Sequence, residues 1–423
     1  MEKLFTLTDA VFPVPARFRG RLSRDVAELS RLLTSARGER GASYLGRSAM
    51  LTAYLRCFLP WNVYRLVRLF SSLPLDISDG TAISDLGSGP LTLPIALWIA
   101  RPELRSLKLV FRCVDRTQAV LEAGKKLFAA LTSPDGAEKA RRDGAARVKG
   151  GALSAAPETA WTIKAIRGDI LHCGRRGGRG TAPLDGKAGL VCAVNVYNEL
   201  FWDIPHSDSR TLARFAEREA RRLTEIAEDG ASILVVEPGV PRSGEFIAFL
   251  RDALAATGRP VISPCTHGGP CPFPGGRGGR TGEKRKWCHF AFDVNGAPKK
   301  LQALSASAGI PREKAVLSFL LAGGVSRDTA GASTDAEKVG ASTDAEKVGA
   351  SDDRRIAVRV LSDKFPVAEK NALFGRYGCC ALGAVLLTGT GQEMDAVPPG
   401  TLLRHDPPAH ERRDGKSGAL VLD

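Results

Sequence analysis

The sequence predicts an α/β fold: a doubly wound, mainly parallel sheet, preceded by a helical region and followed by a smaller β-rich region that bears cysteines. Three observations carry this. The strand pattern TAISDLGSGP (81–90) runs into a glycine turn and then into the apolar stretch LTLPIALWIA (91–100). A second strand pattern, LKLVFRCVD (107–115), is followed by a helical pattern from Thr117 to about Leu131, so that strand, helix and strand alternate. Further on, GLVCAVNVY (189–197) and GASILVVEPG (230–239) read as buried strands on either side of a helix. Parallel strands require such crossovers, because a tight turn can only return the chain antiparallel.

Residues 1–79 are the helical region. From about 15 to 75, basic and apolar positions alternate at helical spacing, as in VAELSRLL (26–33) and AYLRCFLPWNVYRLVRLFSSL (53–73). Pro60 predicts a kink or break, since it lacks the amide that the helical ladder uses. The doubly wound sheet is expected over 80–260. Within it, a glycine- and arginine-rich insertion before residue 189 should run over the surface, and Ser207 and Asp208 are placed to cap the helix TLARFAEREARRLTEIAE (211–228). A metal-binding, β-rich region is expected over 261–400. It is interrupted by the nonapeptide GASTDAEKV, which stands at 331–339 and again, unchanged, at 340–348. Its small polar residues cannot repay the entropy of ordering, so a disordered insertion is expected over about 326–353. Strands resume at RRIAVRVLSD (354–363), and 401–423, rich in Asp, Pro, Arg and His, reads as a flexible tail.

With 423 residues and 43% hydrophobic content, the chain can bury a substantial core. Its longest apolar runs fall short of the roughly 20 residues that cross a bilayer, and the first residues hold no signal-peptide core, which places the protein in the cytoplasm and off the membrane. The formal charge is +14, concentrated in ARRDGAARVKGG (140–151), GRRGGRG (174–180) and GGRTGEKRK (278–286). Clustered basic segments favour a polyanion such as RNA, because each phosphate contact releases condensed counterions; solvated loops are the plain alternative. Nine cysteines in a cytoplasmic chain do not read as a disulfide framework. Cys57, Cys113 and Cys192 stand in apolar surroundings and read as small core residues. Nothing in the sequence points to a homo-oligomer.

The turn Asp85-Leu86-Gly87-Ser88-Gly89-Pro90 ends the first strand. Gly87 and Gly89 let the backbone turn sharply and approach a ligand, with the next helix N-terminus facing it. Asp115 ends the following strand, where a carboxylate can accept from both hydroxyls of a ribose. The third glycine of a dinucleotide loop is absent, since Pro90 and Leu91 follow. That favours S-adenosylmethionine over NAD, because a sulfonium ligand brings no phosphate for the loop to hold. Asp85, Gly87, Gly89, Asp115 and Asp169, the last at an adenine edge, are therefore the candidate cofactor residues. Asn195, Asn198 and Glu199 of NVYNE close the next strand as candidate catalytic residues, or else satisfy loop backbone groups.

PCTHGGPCPF (264–273) and WCHF (287–290) gather Cys265, Cys271 and Cys288 among prolines and glycines, where little core can form. Thiols in such a setting point to a metal. Five and sixteen residues separate them, which is neither a zinc-ribbon pair nor a ferredoxin run, so the spacing names no metal. Thiolates select zinc or iron–sulfur over magnesium. RYGCCALG (376–383) offers Cys379 or Cys380 as a fourth ligand, and His267 or His289 could substitute. The Pro264-Cys265 and Pro270-Cys271 pairs also resemble the nucleophile of cytosine-5 methyltransferases, but they follow the last core strand, and metal binding ranks above that role.

Taken together, DLGSGPLTLPIAL, NVYNEL, VVEPG, PCTHGGPCPF, WCHF and RYGC resemble the bacterial branch of the methyltransferase-like family associated with the mitochondrial small ribosomal subunit, over roughly residues 40–390 apart from the repeat. The resemblance implies a class I methyltransferase fold and a role in small-subunit rRNA maturation. It also implies a 4Fe-4S cluster on Cys265, Cys271, Cys288 and Cys379, with Cys380 as the less favoured neighbour, and a cofactor site at Asp85, Gly87, Gly89 and Asp115. Two departures bear on catalysis. NVYNE stands where amino-methylating enzymes carry Asn-Pro-Pro-Tyr, and Pro90 replaces the last loop glycine. Two functions are thus expected: an rRNA methyltransferase, or an assembly factor that uses the same fold as an RNA-binding platform.

Overall fold

The computed structural model describes residues 1–14, 16–39, 45, 48–133, 159–173, 184–278, 283–284, 286–325, 355–368, 373–408 and 410–423. The repeat and most of the basic segments lie outside the described residues. An eight-stranded sheet organises the chain. Its parallel part is made of β1 (Ala82–Leu86), β2 (Val110–Asp115), β3 (Thr162–Arg167), β4 (Ala188–Val194) and β5 (Ala227–Pro238), in the order β3-β2-β1-β4-β5.

Strand residues alternate between two cores. Leu190, Cys192 and Val194 of β4, with Leu234 and Val236 of β5, join one cluster; Val191, Ala193, Ile233 and Val235 join the other. A sheet covered on both faces needs apolar residues at every position, which is why these strands read as continuous hydrophobic runs. Among the helices are α1 (Glu2–Val11), α2 (Ala16–Arg19), α3 (Leu22–Leu33), α4 (Ser48–Ala53), α5 (Leu59–Phe70), α6 (Thr92–Ala100) and α7 (Gln118–Thr132). Residues of α5, α6 and α7 pack on the first face. On the second lie the short α8 (Tyr197–Leu200), α9 (Ser209–Ile226) and α10 (Pro241–Ala256). Asp208 caps α9 by accepting from the Thr211 amide at 2.9 Å, as its position predicts.

The irregularity expected at Pro60 takes a specific form. A five-residue π-helical segment, Tyr54–Phe58, joins α4 to α5 and ends two residues before the proline. Proline lacks an amide to donate and its ring crowds the preceding turn, so the wider turn absorbs both effects without ending the helix.

The main sheet does not stop at residue 260, where the change of region was expected. β6 (Val261–Ser263), the small ladder of β7 (Arg277–Gly278) and β8 (Glu283–Lys284), and β9 (Phe290–Asp293) follow. After α11 (Lys299–Ser307), β10 (Lys314–Ala322) enters the sheet antiparallel to β5, with β6 and β9 also pairing to it. A second sheet comprises β11 (Ile356–Val360), β12 (Phe365–Ala368), β13 (Leu373–Cys380), β14 (Gly383–Gly389), β15 (Leu402–His405) and β16 (Leu420–Leu422), with α12 (Gly391–Ala396) beside it. The flexible tail expected over 401–423 is therefore corrected: β15 pairs with β11, β16 runs parallel to β14, and Leu420 and Leu422 are buried in the core of this sheet. Two short apolar patches suffice there because the neighbouring strands supply the rest of the ladder. Among the described residues, no helix is long and apolar enough to cross a membrane.

Candidate functional site

At the carboxyl end of β1 the chain turns through Gly87 (φ 74°) and Gly89 (φ 55°), conformations that side chains resist. A Cβ on Gly87 would also stand 2.8 Å from the Val196 Cβ, so glycine there lets this turn approach the loop after β4. Leu91, at φ 58°, then leads into α6 in a left-handed conformation that favours glycine. The close packing that a third glycine would allow is supplied from the opposite side, by Gly124 on α7.

Around this turn lies a pocket lined by Gly87, Ser88, Gly89, Asp115, Asp169, Asn195 and Glu199, together with Tyr54 and Asn62 from the helical region. Asp115 accepts from the Gly89 amide at 3.0 Å through one oxygen and from the Thr117 amide at 2.9 Å through the other. Each oxygen keeps a further lone pair for a ligand hydroxyl. Burial raises the Asp115 carboxyl above its ordinary range, opposed by those amides. Asp169 accepts from the Leu171 amide at 2.9 Å and faces the pocket beside Ile170.

Asp85 lies beneath the turn and is not among the residues that line the pocket. It is 1% exposed, one carboxylate oxygen accepts from the Ser88 hydroxyl at 2.5 Å, and the other has no hydrogen-bond partner. Burial pushes its pKa up to about 7. Its geometry suits shaping the turn rather than touching a ligand.

The three candidates of NVYNE separate. Asn195, at φ 54°, and Glu199 line the pocket. Asn198 turns away: its side-chain amide donates to Glu237 at 2.8 Å. Glu237, fully buried on β5, also accepts from the backbone amides of Val196, Tyr197 and Asn198 at 3.1, 2.8 and 3.0 Å, and so fastens the whole loop. Burial drives its pKa up to about 7 while these donors oppose the rise. Sequence reasoning missed Glu237, Tyr54 and Asn62. A lone acid at the end of an apolar strand was the available signal for the first. For Tyr54 the available signal was its place in the irregular turn before Pro60; burial, then Glu199 and Asp115, hold its hydroxyl well above the usual tyrosine value.

The second site lies where the two sheets meet. Cys265, Cys271, Cys288 and Cys379 line one cavity, together with His267, Arg251, Arg359 and apolar side chains including Phe273 and Phe319. Successive residues of a strand face opposite ways, which separates the two neighbours on β13. Cys379 faces this cavity, whereas Cys380 packs among Val358, Val360, Val385 and Leu387 in the core of the second sheet. The His267 imidazole Nε2 stands 3.2 Å from the Cys379 sulfur. His289 instead stacks on Trp287 and is not among the residues that line the cavity. Burial raises all four thiols, Cys271 to about 11, and the proximity of the other thiols adds to it at Cys271, Cys288 and Cys379. Among the described residues, no group of three or more His, Cys, Asp or Glu side chains is arranged to hold a metal ion as it stands; the four thiols surround the cavity instead.

The family described as "Mitochondrial small ribosomal subunit Rsm22" matches residues 209–349, about a third of the chain, which includes Cys265, Cys271 and Cys288 but not the glycine turn or Cys379. No curated protein matches the chain. Among solved structures, a putative class I S-adenosylmethionine-dependent methyltransferase from Listeria monocytogenes is 11% identical, covers 78% of this chain and 88% of its own, and has a TM-score of 0.35. A 16S rRNA (adenine(1408)-N(1))-methyltransferase from Catenulisporales acidiphilia is 14% identical, covers 63% and 92%, and has a TM-score of 0.30. Likenesses of this degree say nothing of what the present chain binds.

Proposed function

We propose that this chain belongs to the bacterial branch of that small-subunit family and acts in the cytoplasm, as an S-adenosylmethionine-dependent methyltransferase-like protein in small ribosomal subunit rRNA maturation. The observation that carries the reading is the pocket at the carboxyl ends of the strands, where Gly87, Gly89 and Asp115 meet Asn195 and Glu199. Open α/β sheets bind ligands at this edge. Asp115 would hold the ribose of the cofactor and Asp169 the adenine side. Asn195 and Glu199 would face the methyl acceptor, with Tyr54 and Asn62 closing the pocket from the helical region. Chemistry at an exocyclic amine asks mainly for positioning beside the reactive sulfonium, a task that a fixed pocket performs.

The cysteine cavity fits a polynuclear centre. Four thiols that line one cavity could supply one thiolate to each iron of a 4Fe-4S cluster. Cys265, Cys271, Cys288 and Cys379 would hold it. When bound, the cluster would supply metal–thiolate bonds that tie the second sheet to the first. Since burial keeps the thiols protonated, uptake must displace their protons.

A second reading, an assembly platform without catalysis, is favoured by Asn198, which is spent on Glu237 and cannot serve an acceptor base. Transfer of tritiated methyl groups to small-subunit particles from a deletion strain separates the two, using anaerobically purified protein and an Asp115→Ala control. Label in rRNA that depends on Asp115 establishes the enzyme. No label, with wild-type protein still co-sedimenting with those particles, establishes the platform.

A further inference from the structure

Arg251 is a cation held in a cavity of thiols. It projects from α10 with a side chain only 4% exposed, and its Nε donates to the Cys265 sulfur at 3.2 Å. Its Nη2 is committed to the same loop, donating to the carbonyls of His267 at 3.0 Å and Gly269 at 2.6 Å, while Nη1 pairs with Asp252 of its own helix at 2.5 Å. Arg359 arrives from the second sheet, directly opposite Cys379 in the β11–β13 register. It donates to the Pro264 carbonyl at 3.1 Å and to the Gly400 carbonyl at 2.8 Å. A long, flexible, charged side chain loses much rotamer freedom when so fixed, and a buried charge needs a counter-charge. Asp252 is more than half exposed and answers only part of that need.

We propose that Arg251, seconded by Arg359, is the positioning residue of the thiol-held centre: it shapes the Cys265–Cys271 loop before the metal arrives, and its charge and sulfur-directed N–H then set the centre's affinity and reduction potential. The inference rests on the reading of the four cysteines as ligands of an iron–sulfur cluster. Four thiolates on such a cluster leave it net negative, and a one-electron reduction adds a further negative charge. A donor aimed at a ligand sulfur, backed by two guanidinium charges, stabilises the reduced form and raises the potential.

The test reconstitutes wild-type, Arg251→Gln, Arg251→Lys and Arg359→Gln full-length proteins anaerobically with ferrous iron and sulfide. It then measures iron per chain under increasing chelator, and the midpoint potential by dithionite titration followed by electron paramagnetic resonance. Melting of the metal-free proteins monitors folding. For Arg251→Gln we expect iron affinity to fall about tenfold to a hundredfold, as is typical when a partner of a metal ligand is removed, and the midpoint potential to become more negative. Arg251→Lys, which keeps the charge but loses the fork, should fall between, and Arg359→Gln should lower the potential with a smaller loss of iron. If Arg251→Gln does not fold, the lysine variant and Arg359→Gln carry the same test. A wild-type protein that takes up no iron overturns the cluster reading and this inference with it. Wild-type loading, with unchanged potential and retention in the folded variants, overturns this inference alone.

Discussion

Gly124 on α7 faces the Pro90 carbonyl so closely that a Cβ on it would lie 2.7 Å from that oxygen. The glycine turn of the pocket is thus braced from behind by a residue of α7, more than thirty positions later in the chain. Replacing Gly124 with Ala should destabilise the protein by roughly 1–3 kcal/mol through overpacking, and should weaken S-adenosylmethionine binding because Pro90 and Leu91 must move. Thermal melting and calorimetric titration of the cofactor report the two effects. A melting temperature equal to the wild type's would show that the contact relaxes freely.

Asp115 and Asn198 separate binding from scaffolding. Asp115→Ala should weaken S-adenosylmethionine by about tenfold to a hundredfold, the range expected when hydrogen bonds to a charged acceptor are lost. Asn198→Ala leaves Glu237 one donor short and should cost about 1–3 kcal/mol of stability with little change in cofactor affinity. Equal losses of affinity in both variants would contradict the assignment of Asn198 to the loop's support.

Stability should carry the signature of Asp85. Burial raises its folded-state pKa to about 7, well above the ordinary carboxylate range. The folded protein therefore holds this proton more tightly than the unfolded chain does. The associated stability is complete below about pH 4 and is lost as the pH rises to about 7, a change on the order of a few kcal/mol at about 1.4 per pKa unit. Asp85→Asn removes the dependence, so its melting temperature should gain on the wild type between pH 5 and pH 8. A gap between the two that stays constant across that range would refute it.

Cys379 and Cys380 are neighbours with different fates. After anaerobic reconstitution, Cys379→Ser should lose iron, whereas Cys380→Ser should keep it. The second variant instead puts a hydroxyl into an apolar cluster, at a cost of about 1–3 kcal/mol. Iron loss in Cys380→Ser with retention in Cys379→Ser would reverse the assignment.

Four strands of the parallel sheet, β1, β2, β4 and β5, were legible because each carries an apolar stretch bounded by turn residues, a local signal that needs no knowledge of its neighbours; β3, which reads TIKAIR and is only partly buried, was not. The glycine turn and Asp115 were legible for the same reason: a backbone that must adopt positive φ at a strand's end writes itself as Gly87 and Gly89. That Asp85 does not line the pocket was not legible, because sequence order alone cannot distinguish a carboxylate that faces a pocket from one buried behind the turn. Likewise Asn198 could not be separated from Asn195, since the direction of each depends on Glu237, some forty residues away.

By itself, then, the sequence determined the α/β alternation and the position of the glycine turn, and it singled out the cysteines that the proposed metal centre would use. These follow from local periodicity and side-chain chemistry. Tertiary structure alone decided that β10 enters the first sheet, that residues 402–405 and 420–422 pair within the second, and that Cys379 rather than Cys380 meets the other thiols. It also decided that Arg251 and Arg359 reach the same cavity. Strand register and face are fixed by pairing between distant segments, and a one-residue shift on a strand reverses which side chain is presented.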